Sequence, residues 1–379
     1  MLVFSKIFIQ ANEVQKVQKP YLPSIKYIRG ISMLGVVAIH VGAQYLTNPT
    51  PNLHLVTILE IVSRFSVPIF FFISAFGLFY KIDLNAPFSY RNFLRRRFKA
   101  VLLPYIFWSV LYILHDNYFY GTGIPAPAYA VEILFFGLAK YQLYFLVLLV
   151  WFYLLMPIWI KILRGITREK FLALFIAQIA FNYFSSYNTE LTSFIAFLPE
   201  DSLLKLFLMW RLNYLVLHYV FIFLLGGFFG VHSQEFFKWL SARKIFICLA
   251  FVTTLTLFVG YFYWLIYAKS YDVLSAINTA HQLSPLGFLY TIVASIFLFM
   301  LFQCYRFARP IQALLDYLGA NSYLVYLLHP LAITYLSKWL AESGRLMTAP
   351  NTIIFFWLTV LMSLIISSTI KITMTLLKR

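Results

Sequence analysis

The chain has 379 residues, of which 62% are hydrophobic, 20% aromatic and only 11% charged. That composition excludes a soluble globular core and a disordered chain, and fits a protein with many membrane-crossing helices. The net charge of +17 would suit a nucleic-acid partner, but the basic residues fall between apolar runs. Membrane topology accounts for them there, so no nucleic acid is expected.

Residues 1–24, with Lys6, Lys16, Lys19 and two prolines, read as a cytoplasmic N-terminal tail without a signal-peptide cleavage site. The first apolar run, 25–46, carries Arg29 near its start and His40 well inside it. At ~1.5 Å per residue they lie about 16 Å apart along a helix, roughly half a hydrocarbon core. Ionisable groups inside a bilayer cost free energy and are functional suspects for that reason. The competing explanation is an interfacial, snorkelling Arg29 and a hydrogen-bonded packing role for His40.

The second run, 56–79, descends from the far side with Glu60 and Arg64 at i, i+4 spacing on one face, near the level of His40. Together the three could form a polar reaction centre, or Glu60 and Arg64 could simply be an intrahelical ion pair. Next comes a basic cluster, Arg91, Arg95, Arg96, Arg97 and Lys99, leading into the run 100–120. Guanidinium groups in such a cluster suit phosphate, and the same cluster would also anchor a helix near anionic lipid. Residues 129–140 are too short to span and are expected to form a re-entrant or interfacial helix.

Runs 141–163 and 171–188 follow, then an outer loop, 189–212, with Glu190, Glu200 and Asp201 that could line an entrance for a polar molecule. The remaining runs are 213–232, 245–268, 286–307, 322–341 and 352–374, which makes about ten transmembrane helices. In the ninth, His329 precedes Pro330, which should kink the helix and free a carbonyl. His218, Glu132 and the pair His115–Asp116 read as interface solvation. Cys248 and Cys304 lie in apolar runs and suit packing; no metal is required.

With ten spans, one side holds only Lys140, Lys205, Arg211, Lys269, Lys338 and Arg345, while every other lysine and arginine of the tail and linkers falls on the opposite side. The positive-inside rule then places both termini in the cytoplasm. The expected architecture is an all-α polytopic membrane protein: tail 1–24, transmembrane domain 25–376 and cytoplasmic C-terminus 377–379.

The ordered motifs resemble the acyltransferase-3 family of integral-membrane O-acyltransferases, which modify cell-surface and exported glycans. The marks are Arg29 and His40 in the first span, the run Val67-Pro68 to Ser74-Ala75-Phe76, and Arg95-Arg96-Arg97 leading to Pro104-Tyr105. Leu143-Tyr144-Phe145-Leu146 with Tyr153 to Pro157 follows, then Ser322-Tyr323 to His329-Pro330. Departures from the family pattern are Ala75 for glycine, Tyr144 for tryptophan, Lys26 for an acidic residue and Ala100 for a second arginine.

The resemblance implies transfer of an acyl group, most often acetyl, from cytoplasmic acyl-CoA (acetyl-CoA) to a hydroxyl of a glycan or glycolipid acceptor. It also implies a bacterial inner or plasma membrane as the site of action. In that scheme His40 is the general base and Arg29 stabilises negative charge. Arg95, Arg96, Arg97 and Lys99 draw in the donor phosphates, His329 helps line the donor path, and Glu60 with Arg64 positions the acceptor. An exporter of a polysaccharide or lipid-linked glycan would share the intramembrane charges and the basic face.

Overall fold

A computed structural model describes residues 20–377, so most of the expected N-terminal tail, together with Lys378 and Arg379, lies outside the described residues. Among the described residues every regular element is helical. The first three are α1 (Pro23–Tyr45), α2 (Leu53–Phe79) and α3 (Tyr90–Tyr120). A short apolar helix, α4 (Pro127–Phe136), leads to α5 (Tyr144–Leu154) and α6 (Met156–Arg164), bent by 60° at Leu155. Pro157 sits in the first turn of α6, where its missing N–H costs the helix nothing.

The long α7 (Arg168–Tyr187) is followed by three short helices, α8 (Thr189–Phe197), α9 (Leu203–Met209) and α10 (Arg211–Tyr214). Then come α11 (Val220–Val231) and α12 (Ser233–Ala242), which meet at 96°. The chain closes with α13 (Lys244–Tyr267), α14 (Val273–Thr279), α15 (Pro285–Cys304), α16 (Arg309–Glu342) and α17 (Ala349–Leu376).

Six of the described helices, α1, α2, α3, α13, α15 and α17, are long and apolar enough to cross a membrane, and counting each bent pair as one span gives up to eight. This is a multi-pass membrane protein. The sequence reading of about ten also included α7 and α16. These are continuous helices of 20 and 34 residues, but they bury Gln178, Asn182 and Ser185, and Asn321, Ser322, His329 and Thr334. Polar side chains that face other helices lower the hydropathy of a segment without preventing its burial in protein.

Two glycine contacts organise the packing. Helix α11 lies directly on the Pro68–Phe79 part of α2, where a Cβ on Gly226 would come 2.1 Å from the Phe72 carbonyl oxygen and one on Gly230 2.6 Å from that of Phe76. Close backbone approach through small residues is a common way for membrane helices to gain van der Waals contact. The surrounding core is aromatic, with Phe76 and Phe236 each against Phe299, and Phe152 stacked on Phe223 at 4.2 Å. Gly226→Ala is expected to destabilise the folded protein by roughly 1–3 kcal/mol through overpacking, read as a lowered melting temperature in detergent.

The second contact joins α1 to α16. A Cβ on Gly30 would stand 3.0 Å from the Gly319 nitrogen, and one on Gly319 would stand 2.1 Å from the Lys26 carbonyl oxygen. On either side, Lys26 Nζ pairs with Asp316 at 2.6 Å, and Ser337 Oγ donates to Gln44 Oε1 at 3.2 Å. Residue numbers rise together along both helices, so α1 and α16 run parallel in a fixed register. Lys26, where the family pattern has an acid, thus finds its counter-charge on the neighbouring helix.

Candidate active site

The parallel register brings two histidines together. Ten residues beyond Gly30 comes His40, and ten beyond Gly319 comes His329, each about 15 Å further along its helix. Their rings are stacked, with centroids 5.3 Å apart and planes 22° from parallel. His329 is fully buried. Its Nδ1 lies 3.1 Å from the Val325 carbonyl oxygen, an acceptor, so Nδ1 carries the hydrogen. Nε2 therefore keeps its lone pair, and it has no hydrogen-bond partner among the described residues. The sequence reading placed His329 near the donor path; the structure puts it against His40.

A third ring completes the cluster. Helix α4 ends at Gly137, whose φ of +73° reverses the chain, and whose Cβ, if present, would lie 2.6 Å from Tyr144 Cα. The following turn brings Tyr141 against His40 with centroids 4.2 Å apart. The Tyr326 hydroxyl donates to the Gln142 carbonyl and fixes this turn to α16. Tyr112 of α3 donates to the Leu327 carbonyl at 2.5 Å. The expected interfacial helix at 129–140 is thus a short element that returns the chain to the histidines.

Glu60 and Arg64 approach from α2, and there the helix departs from α geometry. Residues Thr57–Ile61 form a π turn and Val62–Ser66 a 3-10 turn, deviations that often accompany functional sites. The carbonyls they release find partners: Tyr290 donates to Val62 O at 2.8 Å and Ser63 Oγ to Ile58 O at 3.2 Å. Helix α1 comes very near this stretch, since a Cβ on Gly42 would meet Glu60 Oε1 at 2.6 Å. Arg64 Nη2 pairs with Glu60 Oε2 at 3.0 Å, while Arg64 Nε is buried without a hydrogen-bond partner among the described residues. The charge of Arg64 also reaches His40. Glu60 and Arg64 therefore lie beside the stretch of α1 that carries His40, as an ion pair.

At the other end of α1, Arg29 is exposed and has no acidic partner among the described residues. It lies within electrostatic reach of Arg97 and Tyr153. Arg97 packs its guanidinium over the rings of Phe93 and Tyr153, 5.5 and 5.6 Å from their centroids. Arg95, Arg96 and Lys99 are exposed on the outward face. The basic cluster is therefore divided: one arginine turns towards Arg29, and the others face away from the body. A π turn at Phe98–Leu102 follows immediately.

Two cavities open in this part of the protein, one beyond the histidines on their helices and one beside Arg64. One, of about 320 Å³, is lined by Gln44, Asp116, Lys140, Tyr141, Ile333 and Ser337 among others, one turn or more beyond His40 and His329 on their helices. At its edge Lys140 holds Asp116 at 2.8 Å, and His115 Nδ1 is 2.8 Å from the same carboxylate. The other, of about 370 Å³, opens beside Arg64. Arg211 and Leu212, from the end of the loop expected to border an entrance, line it together with Asn213. Among the described residues no group of three or more His, Cys, Asp or Glu is placed to hold a metal ion.

Two stacked histidines with a guanidinium–carboxylate pair beside their helix, and two arginines within electrostatic reach of each other about three turns away, are the polar groups that this multi-pass helical membrane protein gathers. The chain belongs to the acyltransferase-3 family, whose acyltransferase domain matches residues 22–370. It is 24% identical over 247 residues to a protein of Staphylococcus aureus (strain MRSA252) described as a probable poly-beta-1,6-N-acetyl-D-glucosamine export protein. That alignment covers 65% of this chain and 63% of the relative. A Staphylococcus epidermidis protein of the same description is 22% identical over 280 residues, covering 72% of this chain and 69% of the relative. No solved structure matches.

Proposed function

We propose that the protein is a bacterial plasma-membrane O-acyltransferase that moves an acyl group, acetyl by preference, from cytoplasmic acyl-CoA to a hydroxyl of a cell-surface or exported glycan. The observation that carries this reading is the separation of two sites on one helix. Arg29 with Arg97 offers an anion site without an acidic partner among the described residues at the N-terminal end of α1, and His40 with His329 offers an imidazole pair eleven residues further on. Ten spans with both termini in the cytoplasm, as the basic linkers suggest, would put the arginines on the side where acyl-CoA is found.

In the direct form of the reaction, His40 takes the proton of the acceptor hydroxyl as its oxygen attacks the thioester carbonyl. The new C–O bond forms, the C–S bond breaks, and the imidazolium returns the proton to the departing thiolate. Arg29 and Arg97 bind the donor's phosphates, with Arg95, Arg96 and Lys99 as an outer attracting field. Glu60 orients Arg64, and Arg64 positions the acceptor. His329, locked by the Val325 carbonyl, packs against His40 and holds its ring plane.

The test is transfer of radiolabel from acetyl-CoA into extractable glycan by membranes that carry the protein. Label incorporation supports the enzyme. The relatives' description as export proteins favours a second reading, a glycan exporter. It is preferred if no donor gives label and a deletion strain brings less glycan to its surface. The divided basic cluster makes a further prediction. Arg97→Ala should raise KM for acyl-CoA about tenfold, the loss of one charge-assisted contact, whereas Arg95→Ala or Arg96→Ala should change it about twofold or less. Equal effects at all three positions would remove Arg97 from the donor site.

A further inference from the structure

The cavity beside Arg64 has a chemistry of its own. Two guanidiniums, Arg64 and Arg211, line it, and no aspartate or glutamate does. Arg64 is paired with Glu60, but Arg211 has only neutral partners among the described residues: the Ser185 carbonyl and hydroxyl, and the Leu208 carbonyl. The cavity therefore carries a net positive charge. Two buried polar atoms without hydrogen-bond partners among the described residues, Arg64 Nε and Ser186 Oγ, belong to lining residues.

The rest of the lining suits a hydroxylated ligand. Asn213, Asn278 and Gln282 contribute amides, and Tyr144 and Tyr219 contribute phenols. His281 Nδ1 accepts from the Leu283 backbone N–H at 3.0 Å, so its Nε2 bears the hydrogen and is a donor. Its ring is stacked on Tyr187 with centroids 5.5 Å apart. Burial, with the charges of Arg64 and His218, pushes this imidazole down to about 4, so at neutral pH it donates without adding charge. Aromatic faces, amides and convergent donors around a fixed cation form a pocket for a sugar that bears an oxyanion.

We infer that this cavity is the acceptor subsite, and that Arg64 and Arg211 select glycans carrying an anionic group, a carboxylate or a phosphate, next to the hydroxyl presented to His40. The inference rests on the acyltransferase reading for the word acceptor. The binding it asserts does not need that reading. Arg64 is the link, because it lines this cavity and is paired with Glu60, whose carboxylate packs against Gly42 of α1, two residues beyond His40. A cationic amino sugar would be repelled by the same pair, and a neutral N-acetylated one would leave them uncompensated.

The experiment is calorimetric titration of the purified full-length protein, without acyl donor, with three oligosaccharides of equal length: a uronate-containing one, a phosphate-bearing one and a neutral N-acetylglucosamine one. At least one anionic ligand should bind about tenfold or more tightly than the neutral one, the value of one charge-assisted contact. Which of the two does so identifies the anion. Raising salt from about 0.05 M to about 0.5 M should shrink the preference, since added ions screen exposed charge. Arg211→Gln should abolish it and Arg211→Lys should keep most of it. Equal affinity for all three ligands overturns the inference, as does a preference that survives Arg211→Gln. Because Arg211 also holds the Ser185 carbonyl, the wild-type comparison and its salt dependence decide the matter if either variant fails to fold. Binding that follows the prediction while no label is transferred would retain the subsite and discard the enzyme.

Discussion

Replacing His40 with alanine is expected to abolish transfer of label from acetyl-CoA, by about 10³-fold, the usual range for loss of a general base. The expectation follows from where the residue sits. The Glu60–Arg64 pair lies beside its helix, its ring packs against those of Tyr141 and His329, and a cavity opens one turn beyond it. His329 is tethered through Nδ1 to the Val325 carbonyl, which fixes the ring that packs against His40. His329→Ala should therefore lower kcat less, roughly 10–100-fold in the range of lost orientation rather than lost chemistry, with KM for acyl-CoA unchanged. Full glycan modification by the His40→Ala protein would rule out the catalytic assignment.

The next largest effect should come from Gly319→Val, far from the histidines. Its Cβ would land 2.1 Å from the Lys26 carbonyl oxygen and 2.8 Å from the Lys26 carbonyl carbon, and valine adds two methyl groups beyond it. Backbone cannot yield there as a flexible side chain can, so α1 and α16 must separate or slide. Sliding by one residue shifts His329 by ~1.5 Å and about 100° around its axis, enough to break the ring stack. We expect activity to fall at least about 100-fold even in protein that still inserts, and melting to occur at lower temperature. A Gly319→Val protein with normal activity and stability would mean that the glycine contact does not set the register.

Much of this was legible in the sequence. The ordered motifs identified the family, and the i, i+4 spacing of Glu60 and Arg64 anticipated their ion pair. The short apolar helix before Tyr144 followed from a segment too short to span. What sequence spacing does not show is which helices are neighbours. His329 read as part of a donor path because nothing in a linear string says that α16 runs parallel to α1. The signal was present as equal spacing, Gly30 to His40 and Gly319 to His329, but it acquires meaning only once the two glycines touch. Likewise the basic cluster looked uniform, because a helical face decides that Arg97 turns inward while Arg95, Arg96 and Lys99 do not. The number of spans is hardest to read where a helix is polar because it is central, as α7 and α16 are.

The Gly30–Gly319 contact also bears on how any cargo could move through this protein. Carriers expose a site to one side and then the other by rocking one group of helices against another. Helices α1 and α16 are fastened by backbone contact, by Lys26–Asp316 at one end and by Ser337–Gln44 at the other, so they travel as a single rigid body. The imidazole pair is built entirely on that body and cannot be split by rocking. If the protein moves a glycan, the relative motion has to lie between this pair and α2 with α11, across the interrupted turns at Thr57–Ser66. The stator would then hold the histidines and the rotor would hold Arg64.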